Sequence, residues 1–253
     1  MNRFHLAPEL ASWIPPEHRD SLENLAAFLG LDLASHDHRT KIVEATLTAP
    51  GQVDRRLFFK VYASRRKPLE GWFRRAPALR EAGNLNRFAR WGLPTPEVIG
   101  YGCQSPLPWK HHLSWILTDA IPDAPSLLQF WTGLDQPGDS ALRLTLIEKT
   151  ARQTRTLHDH HFCHRDLHWR NLLIRGDDVY WIDCPKGYVS GLPVRQKHGR
   201  IKDLATLDKT ARERCTAKER LFFLQVYLGE TSPTDRVKAL AAQVTTYRRK
   251  RFD

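Results

Sequence analysis

The stretch FCHRDLHWRNLLIRGDDVYWIDCP, Phe162–Pro185, sets Asp166, Asn171 and Asp183 at close intervals around two short apolar runs. The runs LLI and VYWI flank a Gly176-Asp177 turn, which is the pattern of a β-hairpin. A hairpin brings its two ends together, so Asn171 at the start and Asp183 at the end should be neighbours. An amide carbonyl and a carboxylate are hard oxygen donors, the kind Mg²⁺ takes while it keeps waters and phosphate oxygens. Asp166, across the loop, is the residue type that accepts or orients a hydroxyl proton. Phosphoryl transfer is the chemistry these three could carry. The plainer alternative is a hairpin whose acids face water.

Such a site needs positive charge on phosphates and elements that hold it. Lys60 lies between apolar residues in LFFKVY, and Glu81 follows twenty-one positions later as a carboxylate able to hold it. A lysine there is otherwise a solubility device on an edge strand. KIVEATLT and RRLFFKVY read as two strands joined by the turn signal APGQVD. Before them, Ser21–Leu31 reads as a short helix with a Ser cap. After them, Pro77 suits a first helical turn, Leu79, Leu85 and Phe88 fall near one face, and Gly92 with Pro94 stops the helix. EVIGYGC and HHLSWILT are further strand candidates, and DAIPDAPS, with two prolines, is the best boundary in the chain. Beyond it the pattern predicts helices over roughly 139–161, 201–212, 216–229 and 232–250, interrupted by the hairpin. The expectation is an α+β chain of two lobes, 1–119 small and antiparallel, 120–253 larger and helical. The packing of the first ~35 residues stays open.

His164, Arg165, Asp166, Leu167 and Asn171 reproduce the HRDLxxxN spacing of protein kinases, with Lys60, Glu81 and Asp183 in the matching order. Within that fold, LHDHHFCHRDLHWRNLLI, VYWIDCPKG and RIKDLATL resemble the bacterial lipopolysaccharide core kinases, which phosphorylate heptose or Kdo sugars. The resemblance spans roughly residues 39–210. It implies a protein-kinase-like fold with an N-terminal nucleotide-binding lobe and a C-terminal catalytic lobe. It implies ATP and Mg²⁺ as cofactors, Asp166 as catalytic base, Asn171 and Asp183 as metal ligands, and Lys60 on the α/β-phosphates with Glu81 as its partner. Asp203 would brace the catalytic loop. The adenine edge would meet main-chain groups of Leu117, Thr118, Asp119 and Ala120. Two departures stand out. The turn that would cover the phosphates, His36–Thr40, contains no glycine, which leaves Arg39 to assist. Cys184-Pro185 replaces the usual Phe-Gly, and proline stiffens that segment. Only twenty positions separate Asp183 from Asp203, too few for a regulated activation loop.

A net charge of +11 directs the chain toward phosphate-rich partners. Arg65-Arg66-Lys67 with Arg74-Arg75, and Arg248-Arg249-Lys250-Arg251, are basic clusters with Trp72, Phe73 and Phe252 among them, a mixture suited to an interfacial surface or to nucleic acid. With the family likeness, the expected partners are the anionic glycolipid core and the inner face of the inner membrane of a Gram-negative bacterium, not nucleic acid. The expected location is cytoplasmic, because the four cysteines lack CxxC spacing and the N-terminus lacks a signal-like apolar run. His158, His160, His161, His164 and His168 with Cys163 admit a zinc site, although helix-end and loop roles are the plainer reading. Cys163 and Cys184 read as packing groups, and the Trp-rich segments at 107–115 and 130–136 as core before sugar platforms. The rivals are a kinase-like enzyme acting on protein or a small molecule, and a basic binding protein on a dead kinase fold.

Overall fold

The computed structural model describes residues 3–33, 40–48, 53–64, 75–104, 112–134 and 139–252. Arg39 and most of the glycine-free turn lie outside the described residues, as do Arg65, Arg66, Lys67, Trp72, Phe73 and Arg74. The chain forms two compact units, Met1–Asn86 with Pro96–Pro122, and Arg87–Thr95 with Asp123–Asp253.

The first unit is built on an antiparallel sheet of β1 (Arg3–Leu6), β2 (Lys41–Leu47), β3 (Arg55–Ser64), β4 (Val98–Gln104) and β5 (His112–Asp119), in the order β1-β4-β5-β3-β2. The expected hairpin is present, β2 pairing with β3 so that Ile42 faces Lys60 and Glu44 faces Phe58. Strand side chains alternate between faces. Leu57, Phe59 and Val61 of β3, with Trp115 and Leu117 of β5, therefore point one way, into a core completed by Leu10, Ile14, Leu22 and Leu25. Those last four settle the place of the N-terminal segment: it covers this face of the sheet, and β1 extends the sheet beyond β4. Helix α1 (Leu22–Phe28) starts where Ser21 accepts a hydrogen bond from the Asn24 N–H at 3.1 Å. Arg55 donates two hydrogen bonds of 2.7 Å to the Asp119 carboxylate, tying β3 to the end of β5.

Helix α2 (Pro77–Arg90) begins at Pro77 as expected. Its buried stripe is Ala78, Ala82, Leu85 and Phe88, one position away from the expected Leu79, which is only half-buried.

The second unit holds α3 (Leu127–Trp131), α4 (Ser140–Asp159), β6 (Phe162–Cys163), β7 (Leu172–Arg175), β8 (Asp178–Trp181), β9 (Tyr188–Val189), α5 (Pro193–Arg214), α6 (Ala217–Leu228) and α7 (Asp235–Phe252). The β7–β8 hairpin turns through Gly176 at φ +61°, with Leu172 opposite Trp181. Phe88 meets the Phe162 ring edge-on at 5.0 Å, Trp91 stacks on His160 at 4.4 Å, and Pro94 accepts from the Trp181 N–H at 2.9 Å. The segment Arg87–Thr95 thus packs on β6 and β8. Helix α5 starts eight residues before the sequence pattern predicted, at Pro193 rather than 201.

Asp208 on α5 accepts from Arg220 at 2.7 and 3.0 Å and from Arg248 at 3.0 Å, joining three helices through one carboxylate. Arg248, read from sequence as part of a basic cluster suited to an interfacial surface or to nucleic acid, is buried here. Removing one partner of a buried ion pair costs about 3 kcal/mol or more. Asp208→Ala should therefore lower stability by about that amount, read as a lower midpoint in urea denaturation at unchanged slope.

Candidate active site

Lys60 lies on the face of β3 opposite the core. Its Nζ is 3.4 Å from Glu81 Oε1, and Glu81, only 4% exposed, also accepts from the Tyr62 hydroxyl. The expected strand lysine and helix glutamate are therefore brought together. Directly paired residues share a face. By register, Ile42, Lys60 and Ile116 form one row on this face, and Phe58 with Thr118 the next. Ile42 is 59% and Phe58 37% exposed. An exposed apolar pair beside a held lysine suits a planar base, and the sequence reading missed both residues.

The segment expected to meet the adenine edge is the end of β5 and the residue after it. Leu117 is fully buried in the core on the other face, because it is one residue out of phase with Thr118. The N–H groups of Asp119 and Ala120 donate to the Glu97 and Arg56 carbonyls at 3.0 and 2.9 Å, so they are engaged within the sheet. Replacing Lys60 by Ala removes the cation and leaves Glu81 buried without it. Phosphoryl transfer should fall about 100-fold with weaker nucleotide binding, and Lys60→Arg should recover little, because a planar guanidinium does not replace a point charge at the same depth.

The loop that carries Asp166 is set by Asp203. Its carboxylate is fully buried and accepts from the main-chain N–H of His164 and of Arg165, each at 2.7 Å. Arg165 has φ +69°, a left-handed conformation that an arginine adopts only when its surroundings hold it there. Asp203 is placed by the close approach of α5 to β6: a Cβ on Gly199 would meet Cys163 Sγ at 2.1 Å. One turn after that contact, Asp203 reaches the loop. His158 Nε2 lies 3.5 Å from the same carboxylate, and its Nδ1 lies 2.9 Å from the Tyr227 hydroxyl. Burial holds the His164 imidazole below its usual range, which the carboxylates of Asp203, Asp183 and Asp166 partly offset. The histidines are thus loop and helix-end groups. Burial pushes the Cys163 thiol up to about 11, which makes it a packing group and not a nucleophile.

Beyond this brace the loop presents Asp166. His168 Nε2 stands 3.3 Å from one carboxylate oxygen and Lys186 Nζ 3.1 Å from the other, with Arg170 at 4.0 Å. The His168 hydrogen bond and the Lys186 ammonium hold the Asp166 carboxyl well below the usual carboxylate range. From sequence, Lys186 was not picked out, and His168 was named only as a member of the histidine cluster. The only hint was a lysine three positions past the proposed metal carboxylate, behind the stiff Cys184-Pro185.

Asn171 donates through Nδ2 to the Asp166 carbonyl at 2.8 Å and is 4% exposed. That bond fixes the amide and leaves its oxygen as the atom that could meet a cation. The Asn171 carbonyl accepts from the Ile182 N–H at 3.1 Å, so the hairpin brings Asp183 beside Asn171 as expected. Asp183 has φ +55°, again a left-handed backbone without glycine. One carboxylate and one amide oxygen fit a hard cation that fills its remaining positions with water and phosphate. Among the described residues, no group of three or more His, Cys, Asp and Glu side chains could by itself enclose a metal ion.

The fold is protein-kinase-like, and each unit carries residues of the types a phosphotransferase of that class uses. A solved structure described as "WaaP in complex with acyl carrier protein" matches with a TM-score of 0.60, covering 99% of this chain and 100% of that one at 22% identity. The chain belongs to the lipopolysaccharide kinase (Kdo/WaaP) family, whose model matches residues 64–227. A search of curated proteins returned no match. As a member of that family it is a kinase of the lipopolysaccharide core, transferring phosphate to a core sugar.

Proposed function

We propose that the chain moves the γ-phosphoryl group of Mg²⁺-bound ATP to a hydroxyl of heptose or Kdo in the inner core, working at the inner face of the inner membrane. The observation that carries the residue roles is the setting of Asp166, an ionised carboxylate presented by a braced loop between His168 and Lys186. A carboxylate so stabilised is a weak base. Its work is to align the acceptor hydroxyl and take the proton late, which suits a loose transition state in which the nucleophile keeps its proton until bond formation is advanced. Lys186, 61% exposed, lies within reach of any phosphoryl group brought to Asp166 and supplies positive charge there. Lys60, fixed by Glu81, meets the nucleotide phosphates, with Ile42 and Phe58 against the base. Asn171 and Asp183 hold the cation, which neutralises phosphate charge when bound.

A sugar acceptor is favoured over protein by what fills the interval from Asp183 to Asp203. It holds β9 and the first turns of α5, with no long loop on which a peptide could dock. The test is transfer of labelled γ-phosphate to dephosphorylated core lipopolysaccharide beside a panel of peptides and aminoglycosides. Label on the glycolipid alone is expected. Label on a peptide, with none on glycolipid, would replace the acceptor.

A further inference from the structure

Three of the large hydrophobic side chains exposed among the described residues fall within six positions: Val189 at 49%, Leu192 at 59% and Val194 at 82%. They lie on the connection from β9 to α5, and the backbone there is pinned. The Ser190 N–H donates to the His161 carbonyl at 3.1 Å, the Leu192 N–H to Ser190 Oγ at 3.3 Å, and Gln196 Nε2 to the Ser190 carbonyl at 2.6 Å. Ser190 is buried by these bonds, while its apolar neighbours are held outward. Pro193 opens α5 with its φ already helical. Exposure of Leu192 and Val194 is thus built in.

The surroundings are cationic. Residues 186–202 hold five Lys and Arg and no Asp or Glu. Two guanidiniums stand over the Tyr188 ring, Arg165 at 5.8 Å and Arg195 at 5.2 Å from its centroid. The end of α7 joins the same surface through a His198–Tyr247 ring contact at 5.6 Å and carries exposed Arg249, Lys250 and Arg251. Arg165 and Arg251 both add to burial in lowering the Lys202 ammonium, so these cations crowd together. An apolar tip beside exposed Arg195, Lys197, Arg249, Lys250 and Arg251 is complementary to an anionic bilayer, where aliphatic groups enter the acyl boundary and cations meet lipid phosphates.

We propose that Tyr188–Val194 is a membrane-seating loop, its aliphatic tip entering an anionic phospholipid surface while Arg195, Lys197 and the α7 tail contact the headgroups. Its purpose rests on the reading of the acceptor as a membrane-borne glycolipid. Lys186, which bonds Asp166, is six residues from Leu192, at most about 20 Å of chain. The loop therefore sets the catalytic carboxylate at the height of sugars close to the bilayer. No helix among the described residues is long and apolar enough to cross a membrane, so this contact would be peripheral.

The test uses the full chain and vesicles without nucleotide or acceptor. The native protein should co-sediment with phosphatidylcholine vesicles containing 30% phosphatidylglycerol and leave pure phosphatidylcholine vesicles unbound, about as expected for headgroup charge. Leu192→Asp with Val194→Asp should weaken binding at least about 10-fold, and Arg195→Glu with Lys197→Glu by at least as much, the native binding declining with salt. The first pair should leave turnover of delipidated core oligosaccharide at its native rate while turnover of vesicle-embedded glycolipid falls. Native binding that survives both pairs, or a native protein that ignores anionic vesicles, overturns the proposal. If the protein ignores vesicles yet phosphorylates the soluble oligosaccharide, the loop fails and the kinase reading stands. If it binds as expected and phosphorylates neither form, the kinase reading fails and the loop stands.

Discussion

Asp166→Asn is expected to lower kcat on core lipopolysaccharide by about 1000-fold, with nucleotide affinity within a few-fold of native. The amide matches the carboxylate in shape but offers a single oxygen, so one of Lys186 and His168 keeps its acceptor while the other meets the NH₂. What is lost is the negative charge that aligns the acceptor hydroxyl and receives its proton. The nucleotide side of the site does not depend on that charge, because Lys60 and Glu81 are held by β3 and α2. A kcat effect with little change in nucleotide KM would mark a group acting in the transition state. Measuring both constants with labelled ATP checks this, and a defect confined to nucleotide KM would contradict the role.

The parts of this site that were legible in the sequence were those set by short-range pattern. HRDLHWRN and the following hairpin are contiguous, and the hairpin turn is local, so Asn171 and Asp183 were expected as neighbours and are found so. Lys60 and Glu81 could be matched by motif order alone, and they lie 3.4 Å apart. What sequence did not reveal was set by register and by long-range packing. Leu117 and Thr118 are adjacent in sequence but on opposite faces, and only the pairing of Lys60 with Ile116 says which face holds the site. Ile42 and Phe58 escaped notice because exposed apolar residues on a strand look like ordinary core until the faces are assigned. Helix α5 was predicted to start late because PVRQKHGR has no apolar period. That first stretch is helical through its contact with β6 at Gly199, a tertiary cause. Strand β1 is four residues long and pairs with β4 about a hundred positions away, so no local pattern could announce it.

Asp203→Ala should be the most damaging single change in the second unit. The carboxylate is fully buried and takes two main-chain N–H groups at 2.7 Å each. Alanine leaves both donors without that acceptor and removes the charge beside His158. A buried donor stripped of its acceptor costs about 1–3 kcal/mol, and more where the lost acceptor was charged. The combined loss should be about 4 kcal/mol, a fall in Tm of roughly 8–16 °C for a chain of this size. Asp203→Asn separates stability from positioning. Its amide oxygen can still accept one N–H, but its NH₂ must face the other, so one of the two loop bonds becomes a donor–donor contact. Part of the stability should return while the left-handed turn at Arg165 relaxes and Asp166 loses its setting. Activity should then remain about 100-fold down at a temperature where the protein is still folded. Thermal denaturation and kcat measured on the same preparation decide it. Activity recovering in step with stability would mean that Asp203 supports the fold without aiming the loop.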